Sequence, residues 1–227
     1  MANLQEENSL LLKVTMTSKL LLIGGASAAG KSSLCQELQR QYGVNTRRLH
    51  HYALQIAQER KIVNPMEDWN SLVKEGIIRL IEDANRLSIL SCDIHFAIQP
   101  IFDTAYAQGL ETVEDISEPY ARGLPMQIMD AFASATNTGL FLILIEAANN
   151  EILQRRKREQ TMLGKHPRSL NPISIERELD RERTLFYETA GNIKLYLQPI
   201  VRSVSNLNYQ LQETVSQIAR IAGIRKS

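Results

Sequence analysis

Gly25, Ala26, Ser27, Ala28, Ala29, Gly30, Lys31 and Ser32 fit G-x-x-x-x-G-K-[ST] at every position, and Ser33 follows them. That spacing suits a polyphosphate. Small residues let the chain turn tightly enough for successive backbone N–H groups to converge on one anion. A helix starting at Lys31 adds the positive end of its dipole at the same point. Lys31 is then placed to reach the β- and γ-phosphates, and the Ser32 hydroxyl to ligate Mg²⁺. The same residues could form a Gly-rich turn with an ordinary Ser-Lys helix start. The apolar run 20–24 before the loop and the helical pattern after it favour the phosphate reading. The expected ligands are ATP and Mg²⁺.

A second carboxylate site lies downstream. Asp93 ends the apolar run 87–92, where a carboxylate at a strand end stands near the metal of a phosphate-loop protein. Capping of the strand end is the structural alternative. Ile94 follows it, and an isoleucine cannot activate water, which suits a kinase better than an ATPase. No N-K-x-D segment occurs, and that argues against a GTPase switch.

A cationic group follows the fourth apolar run. Arg155, Arg156, Lys157 and Arg158 lie late in one helical pattern, Lys165 and Arg168 in a polar break, and Arg177, Arg181 and Arg183 on the next helix. Phosphoryl transfer spreads charge over equatorial oxygens, so guanidinium groups on a segment that closes over the nucleotide serve it electrostatically. Interleaved Glu151, Glu159, Glu176, Glu178, Asp180 and Glu182 allow the alternative of a solvated, ion-paired face.

These groups need a scaffold. The chain has 227 residues, enough for one buried core and short for two domains. Residues 1–17 read as a polar tail with an extra strand around 10–16, and 18–227 as a single domain. Apolar runs at 20–24, 88–92, 140–145 and 193–197 and a short segment at 46–50 predict five strands. Helical patterns at 31–42, 52–60, 69–86, 149–158, 175–189 and 207–221 alternate with them. Short apolar runs without alternation are the mark of strands covered on both faces, so the expected fold is an α/β three-layer sandwich around a five-stranded parallel sheet.

A formal charge of +1 gives no electrostatic footprint for duplex nucleic acid or an anionic membrane. Glu6 and Glu7 stand where a leader would be basic, and Lys13 ends the apolar stretch of Leu10, Leu11 and Leu12. Neither a signal peptide nor a membrane span is expected, and a cytoplasmic location is the default. Cys35 and Cys92 read as buried thiols. No metal-ligand spacing joins His50, His51, His95 and His166.

From about Leu20 onward the chain resembles the archaeal-type adenylate kinases. The likeness rests on the loop 25–32, on Asp93-Ile94-His95-Phe96-Ala97-Ile98, on Gly123-Leu124-Pro125, and on Ile145-Glu146-Ala147 leading to Glu151-Ile152-Leu153 and Arg155-Arg156. The resemblance implies Lys31, Ser32 and Ser33 at the phosphates, Ser32 and Asp93 at Mg²⁺, and Asp93 and His95 toward the acceptor. It implies Arg155 at the nucleotide, with Arg156, Arg177 and Arg183 neutralising the transferred group. It also implies a helical acceptor-binding insert at about 52–87 and a short lid at about 157–172.

Two departures stand out. A cation expected on the acceptor side is replaced by Glu67 and Asp68, with Arg60, Lys61 or Lys74 as substitutes. An added segment at 99–122 carries Asp103, Tyr106, Glu111, Glu114, Asp115, Glu118 and Tyr120. It could line an acceptor pocket, or form a surface excursion or a homo-oligomer contact. The expected activity is transfer of the ATP γ-phosphoryl group to a small-molecule acceptor, with AMP or another nucleoside monophosphate first. A P-loop kinase of a different acceptor and an ATP-binding switch with little turnover are the alternatives.

Overall fold

The computed structural model describes residues 18–26, 28–65, 67–94, 130–135, 137–163, 170–206 and 210–226. The extra N-terminal strand, Ser27, His95, the segment 99–122, Gly123 to Pro125, Lys165, His166 and Arg168 lie outside them. So does most of the polar break.

The described strands form one sheet in which every pairing is parallel. They are β1 (Ser18–Gly24), β2 (Asn45–Arg48), β3 (Ile89–Asp93), β4 (Thr138–Glu146) and β5 (Ile200–Ser205), ordered β2-β3-β1-β4-β5. The described α-helices are α1 (Lys31–Tyr42), α2 (Leu49–Glu59), α3 (Trp69–Leu87), α4 (Asn149–Leu163), α5 (Pro172–Ile193) and α6 (Leu211–Ile221). Helices on both faces make the three-layer sandwich that the apolar runs predict.

β1 and β4 owe their central places to composition. Leu20 and Leu22 of β1, with Leu140, Leu142 and Leu144 of β4, face a core built with α2, α3 and the last turns of α5. Leu21 and Ile23, with Phe141, Ile143 and Ile145, face the opposite core under α1 and α6. Successive strand residues point to opposite faces, so a run of leucines and isoleucines serves both cores at once.

The fifth strand corrects one expectation. The run 193–197 is not a strand: Ile193 ends α5 with its side chain buried, while Leu195 and Tyr196 are exposed. β5 lies at Ile200–Ser205, pairing Phe141 with Ile200 through Glu146 with Ser205. An edge strand has one neighbour and one largely wet face, so its sequence IVRSVS buries only Val204 and carries little apolar signal. β2 also differs. It stops at Arg48, and His50 belongs to α2.

Register brings the chemistry to one end of the sheet. Ile23 is level with Asp93, and Asp93 with Arg48, at the carboxyl ends of β1, β3 and β2. The loop between β1 and α1 opens at that end, where ligands of open parallel sheets bind.

Candidate functional site

The loop 25–30 is shaped by two glycines. Gly25 has φ 137° and Gly30 φ 97°, backbone that side chains rarely adopt. A Cβ on Gly25 would also stand 2.4 Å from the Ile145 carbonyl oxygen. Gly30 is the N-cap of α1 and offers no side chain to the first helical N–H groups, and the first turn holds no acidic residue. The helix therefore starts with donors unspent on a cap, which suits an anion.

Lys31 is 5% exposed, and its Nζ donates to the carbonyl oxygens of Gly25 at 2.7 Å and Ala26 at 3.0 Å. Beside it the Ser32 hydroxyl donates to Asp93 Oδ2. Asp93 is 5% exposed, and its other oxygen, Oδ1, is buried with no hydrogen-bond partner among the described residues. A buried carboxylate oxygen without a donor costs free energy unless a cation or water serves it. Hydroxyl and carboxylate together fit a hard cation such as Mg²⁺, which binds one or two protein oxygens and takes the rest from phosphate and water. Among the described residues no group of three or more His, Cys, Asp or Glu could hold a metal ion.

A cavity of about 580 Å³ opens beside this pair, lined by Ser32 and Asp93 with Gln36, Gln39, Thr46, Arg47, Arg48, His51 and Gln55. Cys35 forms part of its wall. Burial, and then the charge of Asp93, push the Cys35 thiol up to about 12, so it stays neutral. The outer wall is braced by Tyr52 of α2, whose hydroxyl donates to Asp83 of α3. Burial works against the Asp83 charge, but hydrogen bonds from Tyr52 and from Arg86 at 2.6 Å hold its carboxyl below the ordinary range. Burial, followed by the Asp83 bond, raises the Tyr52 hydroxyl well above its ordinary value.

The predicted cations divide. Arg155 reaches the loop, its Nη1 donating to the Ala28 carbonyl at 3.0 Å. Arg156 points elsewhere, 3% exposed, with Nη2 on Glu178 at 2.6 Å. Arg183 is an exposed residue pairing with Glu146 at 2.9 Å and Asp180 at 3.0 Å, and Arg177 is exposed on α5. Loop, Lys31, Ser32, Asp93 and Arg155 therefore come together, while Arg156 and Arg183 are engaged with carboxylates of α5 and β4.

The substitutes proposed for the acceptor-side cation fall outside the cavity wall. Arg60 pairs with Glu75, and Lys74 with Asp130 at 2.6 Å. The wall instead holds Arg47 and Arg48, which sequence reading placed within a strand without assigning a role. Arg47 lies 3.7 Å from Asp83. Arg48 is half-buried, and no carboxylate among the described residues pairs with it. Two consecutive arginines at a strand's carboxyl end were the available signal.

No family model matches the chain, and no curated protein matches it in sequence. Its backbone is similar to the tunicamycin resistance protein of Deinococcus radiodurans, with a TM-score of 0.55 and 16% identity over 92% of this chain and 98% of that one. A sugar kinase from a Janibacter species is similar at a TM-score of 0.47 and 9% identity, over 91% of this chain and 95% of that one. The first likeness is one of fold, carried over nearly the whole length of both chains.

Proposed function

We propose that the protein is an ATP-dependent phosphotransferase acting on a small anionic acceptor, with a nucleoside monophosphate such as AMP first among candidates. The observation that carries this reading is the meeting of Ser32, Asp93 and Arg48 on one cavity beside the phosphate loop. Loop N–H groups and Lys31 hold the donor's phosphates, Lys31 exchanging its two loop carbonyls for phosphate oxygens. Ser32 and Asp93 would hold Mg²⁺, which would supply charge neutralisation to the donor's phosphates. An acceptor oxygen attacks the γ-phosphorus, the bond to the leaving ADP oxygen breaks, and Arg48 holds the acceptor's own anionic group. Ile94 follows Asp93 and is 1% exposed, an apolar neighbour that does not activate water. The archaeal-type adenylate kinase resemblance supports the monophosphate, and Arg48 supplies the acceptor-side cation missing near Glu67.

One observation favours a different small acceptor. Gln36, Gln39, Gln55 and Thr46 line the cavity, amide and hydroxyl groups that serve a polyhydroxylated molecule as well as a base.

The test is a product assay with ATP, Mg²⁺ and a panel of monophosphates, nucleosides, sugars and small alcohols. Transfer to a monophosphate is expected. Lys31→Ala lowers it by at least about a hundredfold, and Arg48→Ala raises the acceptor KM roughly tenfold without moving the ATP KM. A neutral acceptor indifferent to Arg48→Ala would leave the kinase and remove the monophosphate. ATP-dependent partner capture with no phosphorylated product would replace the enzyme by a switch.

A further inference from the structure

A loop that turns its N–H groups toward an anion must find donors for its carbonyl oxygens elsewhere, because a buried carbonyl without one is costly. The carbonyls of the described residues of the loop 25–30 can be followed one by one. Gly25 and Ala26 carbonyls accept from Lys31 Nζ, Ala26 also from the Ala29 N–H at 3.2 Å, and Gly30 from the Leu34 N–H at 2.9 Å. The carbonyls of Ala28 and Ala29 are served from outside the loop. Arg155 Nη1 donates to Ala28 at 3.0 Å, and Asn206 Nδ2 to Ala29 at 2.8 Å, across 127 and 177 residues of sequence.

These two side chains also brace each other. Arg155 Nη2 donates to the Asn206 carbonyl at 3.0 Å, and the Asn206 N–H donates to the Glu146 carbonyl at 2.7 Å, where β4 ends. Asn206 is 4% exposed and presses on the loop so closely that a Cβ on Gly30 would stand 2.5 Å from its Nδ2. Its Oδ1 is buried without a hydrogen-bond partner among the described residues, so the position spends an orphaned acceptor to keep one N–H donor. The loop needs holding. Ala28 has φ 67°, a left-handed conformation that costs a side-chain-bearing residue about 1–2 kcal/mol, and its carbonyl is the one Arg155 holds.

We propose that Asn206, together with Arg155, is a positioning pair that fixes the phosphate loop in its anion-binding shape before any ligand arrives. The ligand side of this inference rests on the phosphotransferase reading; the loop side does not. Neither side chain needs to touch phosphate. Each acts through a loop carbonyl, and a preformed loop binds more tightly because ordering is not subtracted from the binding free energy.

The test uses the full chain with Asn206→Leu, which matches the side chain in size, and Asn206→Asp, nearly isosteric and without the N–H donor. Amide hydrogen exchange over residues 26–32 is measured without ligand, and the Kd for ATP and for inorganic triphosphate by calorimetry. Faster exchange confined to the loop and a roughly tenfold weaker Kd are expected for both variants, with kcat at saturating ATP close to wild type. A role in global stability alone would lower the melting temperature and leave the loop's exchange and the Kd of the folded protein unchanged, and that result overturns the proposal. If Asn206→Leu fails to fold, Asn206→Asp decides by the same two measurements. Should the wild-type protein bind neither nucleotide nor triphosphate, the phosphotransferase reading fails, and the exchange comparison alone decides the pair.

Discussion

Arg155 and Arg156 are neighbours in sequence with opposite surroundings. Arg155 reaches the Ala28 and Asn206 carbonyls, while Arg156 is buried against Glu178 at 2.6 Å, each side chain 2% exposed. A buried ion pair adds little net stability over an apolar pair of similar size, yet losing one partner strands the other. Arg156→Ala is therefore expected to lower unfolding stability by about 3–5 kcal/mol in urea, and Arg156→Met with Glu178→Leu to recover most of it. An unchanged urea midpoint together with a lowered kcat would place Arg156 in the transfer step instead. The sequence named both arginines for phosphate contact and did not show that one is buried in an ion pair, because that follows from helix rotation: adjacent residues of α4 stand about 100° apart. Lys31, Ser32 and Asp93 were legible for the opposite reason. Their placement depends on local geometry, a strand end and a helix start, which the motif itself specifies. Arg48 and Asn206 stand at strand ends too. Their significance comes from register and from contacts across the sheet, which a single sequence does not display.

At the scale of elements, the interior strands announced themselves and the edge strand β5 did not. Leu, Ile and Phe fill β1 and β4 because both faces are covered, whereas β5 is polar enough that the segment 193–197 at and after the end of α5 looked more strand-like. The helical pair α2 and α3 was equally plain, with apolar stripes of Tyr52, Ala53 and Ile56 against Leu72, Val73, Ile77 and Leu80. Its closeness is set by one residue. A Cβ on Gly76 would lie 3.3 Å from Tyr52 Cβ and 3.4 Å from Leu49 Cδ1, so the helices cross with no room for a branched side chain. Tyr52, His51 and Gln55 of α2 line the cavity, so on the proposed function this crossing is the wall of the acceptor side. Gly76→Val is expected to cost about 1–3 kcal/mol through overpacking and to raise the acceptor KM while leaving the ATP Kd unchanged. Steady-state kinetics beside calorimetry check it, and equal losses on both substrates would mean that α2 and α3 also hold the phosphate loop.

For the molecule as a whole, the question is whether α2 and α3 form a part that opens alone. The two apolar cores lie on opposite faces of the sheet but share β1 and β4 residue by residue, Leu20 and Leu22 to one side, Leu21 and Ile23 to the other. A core that shares its strands with its neighbour cannot unfold without exposing the neighbour's floor, which argues for a single cooperative transition. α2 and α3 belong to the first of these cores, through Leu49, Ile56, Ile77, Leu80 and Ile81, and Lys74 of α3 also ties to Asp130 at 2.6 Å. Trp69, the one tryptophan of the chain, begins α3 and packs partly buried against that core, so its fluorescence reports on the helical pair while far-UV circular dichroism reports on the whole. The two signals are expected to share one urea midpoint, and Leu142→Ala, under the same core, to shift both together by a loss of about 2–5 kcal/mol. A tryptophan transition at lower urea than the dichroism would instead make the acceptor wall a separate unit, one that opens while the phosphate loop stays folded. The shared strands argue for the coincident outcome: Leu22 and Leu142 lie level on adjacent strands and carry the helical pair on the same central strands that position Lys31 and Arg155.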